Sequence, residues 1–188
     1  MQLCIYIYTF SIIFEGTTFK YDYCMIRIHN AHTGAAIFAG LSGTTLMTSF
    51  SYLVAQFQKE NFREPELLAI LLRRLVPELN KKYSKIAGWN IHYAVGIAFA
   101  IIYSTLWEKN KLKASVKSGL LLGGLSGLLA IIIWKATFLL HPSPPNVEFK
   151  RYYGNLFVAH LVFGAFASIG YKIAKSNLLL PRITISTD

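Results

Sequence analysis

Residues 90–107 read NIHYAVGIAFAIIYSTLW and residues 155–174 read NLFVAHLVFGAFASIGYKIA. The first carries no charge and the second is charged only at Lys172, near its end. Neither alternates polar and apolar with period two, which excludes barrel strands. A helix of about 17–25 apolar residues crosses a bilayer and satisfies its backbone polar groups internally, as hydrocarbon requires. Two more stretches qualify. Residues 33–56 (TGAAIFAGLSGTTLMTSFSYLVAQ) are uncharged, and residues 118–140 hold one charge, Lys135. With 54% hydrophobic residues the chain is too apolar for an ordinary soluble domain. The expected fold is an all-α membrane protein, a bundle of four transmembrane helices.

The two opening stretches share more than hydropathy. His92, Gly96 and Tyr103 are matched by His160, Gly164 and Tyr171, both sets reading His-x3-Gly-x6-Tyr. At 100° per residue these positions share one stripe of each helix. Ala39-Gly-Leu-Ser-Gly43 likewise matches Gly123-Gly-Leu-Ser-Gly127. The pattern predicts a duplicated helical hairpin, its halves related by an axis along the membrane normal. Gly119, Gly123 and Gly127 are spaced four apart, as are Ala36, Gly40 and Thr44. Such rows, with Gly43, Gly96 and Gly164, let helix backbones approach closely in lipid.

Outside the spans the chain divides into an N-terminal segment (1–32), the four-helix domain (33–175) and a C-terminal tail (176–188). Met1 to Phe14 is short for a span and lacks the features of a signal peptide. It fits a membrane-associated segment, a marginal fifth span, or a stretch upstream of a start at Met25. Between the first two spans, Pro65 to Val76 reads as a short helix with Glu64 and Glu66 at its positive end and Pro77 as its stop. Twelve residues cannot span. Its leucines opposite Arg73 and Arg74 suit a helix lying along the interface or a cap packed over the bundle.

A net charge of +10 raises nucleic acid as a partner. The basic residues instead sit in short stretches between apolar runs, where they set topology and meet lipid headgroups. The expected partner is therefore the lipid bilayer, with a second copy or other membrane proteins beside it, and no nucleic acid. Residues 108–117 hold four lysines and one glutamate, so this short loop is expected inside, with the 57–89 connection and HPSPPNVEFKRYYG outside. The seven Lys and Arg residues of the long connection pull against that orientation.

On this topology His92, His160, Lys135 and His141 all come near the outer end, joined by Tyr152 and Tyr153 from the last connection. Polar groups inside a membrane face the bundle interior or a water-filled cavity, which predicts an outer polar vestibule. Three roles suit the histidines: hydrogen bonds to neighbouring helices, a cavity that moves a proton or small ion, or ligation of a metal or haem. No cofactor is expected. Every acidic residue lies outside the spans or at their ends, which disfavours carboxylate-driven coupling. No nucleotide loop, Gly-x-Ser-x-Gly or His-Glu-x-x-His motif is present, so nothing marks an enzyme. Cys4 and Cys24 have no metal-site spacing.

From His92 onward, HYAVGIAFAIIY, SGLLLGGLSGLLA, HPSPP and YYGNLFVAHLVFGAF resemble the YagU-like bacterial inner-membrane proteins. The resemblance covers about the second half of the chain and departs at Lys135, where a histidine is expected. It implies a multi-span protein of the inner membrane and no particular activity.

Overall fold

The computed structural model describes residues 12–14, 17–19, 23–109 and 112–179, with side chains over 32–109 and 112–176. The readings placed on residues 1–11 and 180–188 lie outside these. Ile12–Phe14 (β1) and Thr17–Phe19 (β2) pair as a short antiparallel ribbon. From Tyr23 onward five helices follow: α1 (Tyr23–Gln58), α2 (Glu64–Leu75), α3 (Lys81–Glu108), α4 (Val116–Leu140) and α5 (Phe149–Leu179).

Four segments are long and apolar enough to cross a membrane: His32–Gln58, Lys81–Glu108, Val116–Leu140 and Phe149–Ser176. Their outward faces are made of large aliphatic side chains. Ile132 is 64% exposed, Leu125 58% and Leu121 56%. A soluble domain would bury such a surface, whereas lipid covers it. These helices are those of a multi-pass membrane protein.

Helices α3 and α5 begin earlier than their apolar runs predict, because capping extends them into polar sequence. The Asn80 side chain accepts the Lys82 backbone N–H at 2.7 Å, starting α3 nine residues before Asn90. The Glu148 carboxylate accepts the Arg151 N–H at 2.8 Å and starts α5 at Phe149. Ser115 and Ser118 form a reciprocal capping box that turns the chain sharply into α4.

Around the bundle the strongest seams are α1/α5 and α4/α5, followed by α1/α3. The α4/α5 seam is backbone on backbone. A methyl group on Gly119 would strike the Gly164 carbonyl oxygen, and one on Gly123 the His160 carbonyl. Gly127 sits against His160 and Phe157 one turn further on. On α1, Gly40 faces the Ile97 backbone and Gly43 the Phe163 ring, while Gly96 of α3 faces Thr44. Dispersion across such close approaches replaces the hydrophobic drive that lipid does not provide.

The fourth seam, α3/α4, is the sparsest, and its hydrogen bonds lie toward one end. Next to the 108–117 turn, Trp107 Nε1 donates to Ser118 Oγ at 3.2 Å. Tyr103 Oη lies 2.8 Å from the Leu122 carbonyl and 2.6 Å from Ser126 Oγ. Toward the other end both helices line one cavity. Tyr103→Phe is expected to cost about 1 kcal/mol in a denaturant titration of the detergent-solubilised protein, as for other interhelical hydrogen bonds in lipid. No loss would mean that the aromatic ring alone holds this seam. Glu108 gathers the same end of the bundle: it pairs with His32 of α1 and accepts the Tyr171 hydroxyl at 2.8 Å.

The opposite end is covered by α2, which packs on α3 with Pro65, Leu67, Ala69 and Leu71 buried and Leu75 outside. It also clasps the α4–α5 connection. Arg74 Nη1 donates to the carbonyls of Ser143 (3.1 Å) and Pro144 (2.8 Å). His141 Nε2 lies 3.1 Å from the Leu71 carbonyl. The two long connections therefore meet at one end of the molecule.

Candidate functional site

Beneath α2, between α3 and α4, lies a cavity of about 150 Å³. Its walls are mainly apolar, with Phe99, Trp134 and Phe163 among them, and its polar groups are few: Thr44, Glu64, His92, Thr137 and His160.

His92 and His160 reach it from α3 and α5. His92 is 8% exposed and His160 7%. His92 Nε2 lies 2.8 Å from Thr48 Oγ1. That hydroxyl donates its proton to the Thr44 carbonyl at 2.7 Å, so His92 Nε2 carries the hydrogen and donates. The neutral ring then keeps Nδ1 as an acceptor. His160 is the opposite tautomer: Nδ1 donates to the Leu156 carbonyl one turn back, at 2.8 Å, and Nε2 is left as the acceptor. Its ring meets the Phe99 ring edge-on, 6.4 Å away. Both histidines thus keep one free lone pair near an apolar cavity.

Glu64 is the third member and the one the sequence does not announce. It is 1% exposed, and Oε1 accepts the Ser51 hydroxyl at 2.9 Å. Oε2 has no protein partner, and neither has the buried Thr44 Oγ1. Among the described residues no lysine or arginine lines the cavity. The nearest cation in sequence, Arg63, is held elsewhere, 3.5 Å from Glu66 and over the Tyr52 ring at 4.9 Å. Burial pushes the Glu64 carboxyl up to about 7, against the opposing pull of its own backbone N–H and the Ser51 hydroxyl. An unpaired carboxyl buried in this way is poised to change charge near neutral pH.

The other vestibule candidates lie around this cavity and not in it. Lys135 is exposed on α4, one residue from the lining Trp134 but turned about 100° away. His141 caps α4 and ties it to α2. Tyr153 is half-buried and stacks on Phe149, with ring centroids 6.0 Å apart. Tyr152 is fully buried with its hydroxyl unpartnered, within electrostatic reach of Glu64. Asn155, one turn on, has both amide atoms unpartnered.

No known protein family, curated protein or solved structure matches the chain. The chemistry rests on these residues alone.

Glu64 lies outside the four spans, as expected of the acidic residues, yet the docking of α2 buries it against them. Its signal was present in the sequence: Glu64, Leu67 and Leu71 stand at i, i+3 and i+7, the stripe that α2 buries. Glu64 also begins the helix, where an acidic residue ordinarily serves the helix dipole, and that more common role masked it. Among the described residues no three His, Cys, Asp or Glu side chains stand together as a metal site would need.

Proposed function

We propose that this chain is a small proton-responsive transport protein of a bacterial inner membrane, working through the cavity beneath α2. One observation carries this: His92, His160 and the unpaired carboxyl of Glu64 line a single cavity. The basic 108–117 loop supports an orientation with that end inside and the α2 cap outside, along the interface. The hairpin duplication and the YagU-like resemblance belong to the same reading. Paired His, Gly and Tyr positions on α3 and α5 support the duplication, since all six residues sit on inward faces or close helix crossings.

A subunit packing against partners through glycine-rich faces is less well supported. Gly40, Gly43, Gly96, Gly119, Gly123, Gly127 and Gly164 all meet side chains or backbone of this same chain. A haem fits poorly, because a cavity of about 150 Å³ matches a single small ring.

The test is an infrared titration of the protein reconstituted in lipid, following the carbonyl stretch of protonated carboxyls. A band with a midpoint near pH 7 is expected, absent in Glu64→Gln and displaced in His92→Ala and His160→Ala. If no carboxyl titrates near neutrality, or if Glu64→Gln leaves such a band intact, the site does not respond to protons as proposed.

A further inference from the structure

The cavity has a side door. On the α3 wall, Ile91 and Val95 line it while 39% and 49% exposed; across the gap on α4, Ile133 lines it at 51% exposed. Residues that both line a cavity and face lipid mark an opening toward the bilayer. Among the described residues the α3/α4 hydrogen bonds lie only toward the 108–117 turn, and none closes this half of the seam. A solute reaching Glu64 by this route arrives from hydrocarbon and must itself be lipophilic.

Inside, three features define what fits. The volume is that of a ring about the size of benzene, which cavities of about 150 Å³ take up. Phe99, Trp134 and Phe163 offer aromatic walls that favour a flat ring or a cation. Glu64 Oε2, buried and unpartnered, is an acceptor with no positive side chain beside it in the lining. A neutral apolar guest would leave that oxygen unsatisfied, whereas an ammonium group would satisfy it.

We infer that the cavity binds a small lipophilic organic cation, an aromatic primary amine of about the size of benzylamine. It enters from the bilayer between α3 and α4 and sets its ammonium group on Glu64 Oε2. This rests on the proton-responsive reading above and names its substrate class. The balance is simple: the neutral amine, the form that crosses hydrocarbon, takes the proton of the Glu64 carboxyl onto its nitrogen, and the ammonium and carboxylate so formed pair. Where the carboxyl is already ionised, the ammonium ion pairs with it directly. The other titratable or charged groups around Glu64 are Tyr52 on α1, Arg63 before α2, Glu66 on α2, His92 on α3, and Tyr152 and His160 on α5. None of them lies on α4.

Isothermal titration calorimetry of the full chain in lipid nanodiscs tests this with three probes of one shape, benzylamine, benzyl alcohol and toluene, above the Glu64 midpoint. Benzylamine is expected to bind at least about 10-fold more tightly than benzyl alcohol, the step one charge-assisted hydrogen bond supplies. Glu64→Gln, which keeps the shape, should remove that preference and leave benzyl alcohol affinity within about twofold. Equal binding of all three probes to the wild type would overturn the amine assignment, as would undiminished benzylamine binding by Glu64→Gln. The infrared titration separates the two readings: a carboxyl that titrates without any amine preference sinks only the substrate class, and one that does not titrate sinks both. Val95→Trp and Ile133→Trp, at exposed positions, should slow benzylamine association at least about 10-fold. An unchanged rate in both would overturn the lateral route.

Discussion

Replacing Glu64 with glutamine is expected to stabilise the folded protein above pH 7 by about 3 kcal/mol and to change little below pH 4.5. In the unfolded chain this carboxyl loses its proton near 4.5; in the folded protein burial holds the proton until about 7. The folded state therefore binds more protons across that interval, and stability falls as pH rises through it. Beyond 7 both states are ionised and the loss levels off. Glutamine never ionises, and its amide oxygen still accepts the Ser51 hydroxyl, so the variant escapes the penalty without losing the bond. Denaturant titrations of both proteins from acid to alkaline pH measure the difference. A pH-independent difference would mean that Glu64 keeps an ordinary carboxyl pKa in the folded protein. The penalty borne by the natural residue is of the kind that functional sites retain.

Gly164→Val is expected to destabilise the bundle by about 3 kcal/mol, the upper range for forced overpacking. A Cβ at this position falls on the Gly119 carbonyl oxygen and comes within 2.9 Å of the Gly119 carbonyl carbon and Gly123 Cα. All three are backbone atoms, so no side chain can swing aside and α4 must move away from α5. The loss would extend beyond one contact, because Gly123 and Gly127 need the same close approach to His160 and Phe157. Gly154→Ala on the same helix is the control. Nothing lies within 4 Å of its would-be Cβ, and alanine there should add about 0.5–1 kcal/mol through helix propensity. If Gly164→Val behaves like Gly154→Ala, the α4/α5 seam is looser than its geometry.

Much of the fold was legible because hydrocarbon imposes a crude rule. An apolar run of sufficient length must be a helix, and four such runs stand out. The stripe through His92, Gly96 and Tyr103 was legible too, since helical periodicity fixes which side chains share a face, and all three turn inward. What periodicity within one helix cannot give is the angle at which that helix faces its neighbours. Lys135 and His141 come to the correct depth yet not to the cavity, because depth follows from position along the helix and facing from packing. Glu64 was hidden for another reason. It lies in a polar connection, where a carboxylate ordinarily meets water, and only the docking of α2 carries it inside.

That docking also sets an order of assembly. Arg74 grips carbonyls 69 and 70 residues further along the chain, and His141 reaches back 70 residues to Leu71. Neither contact can form until the second hairpin is in place. Two walls of the cavity, from α4 and α5, arrive at that same late stage. Before it, Glu64 is an ordinary wet carboxylate; afterwards it is a sealed one. The charge penalty thus falls on the last step of insertion, and mild acid, by neutralising the carboxyl beforehand, should draw the nascent bundle shut.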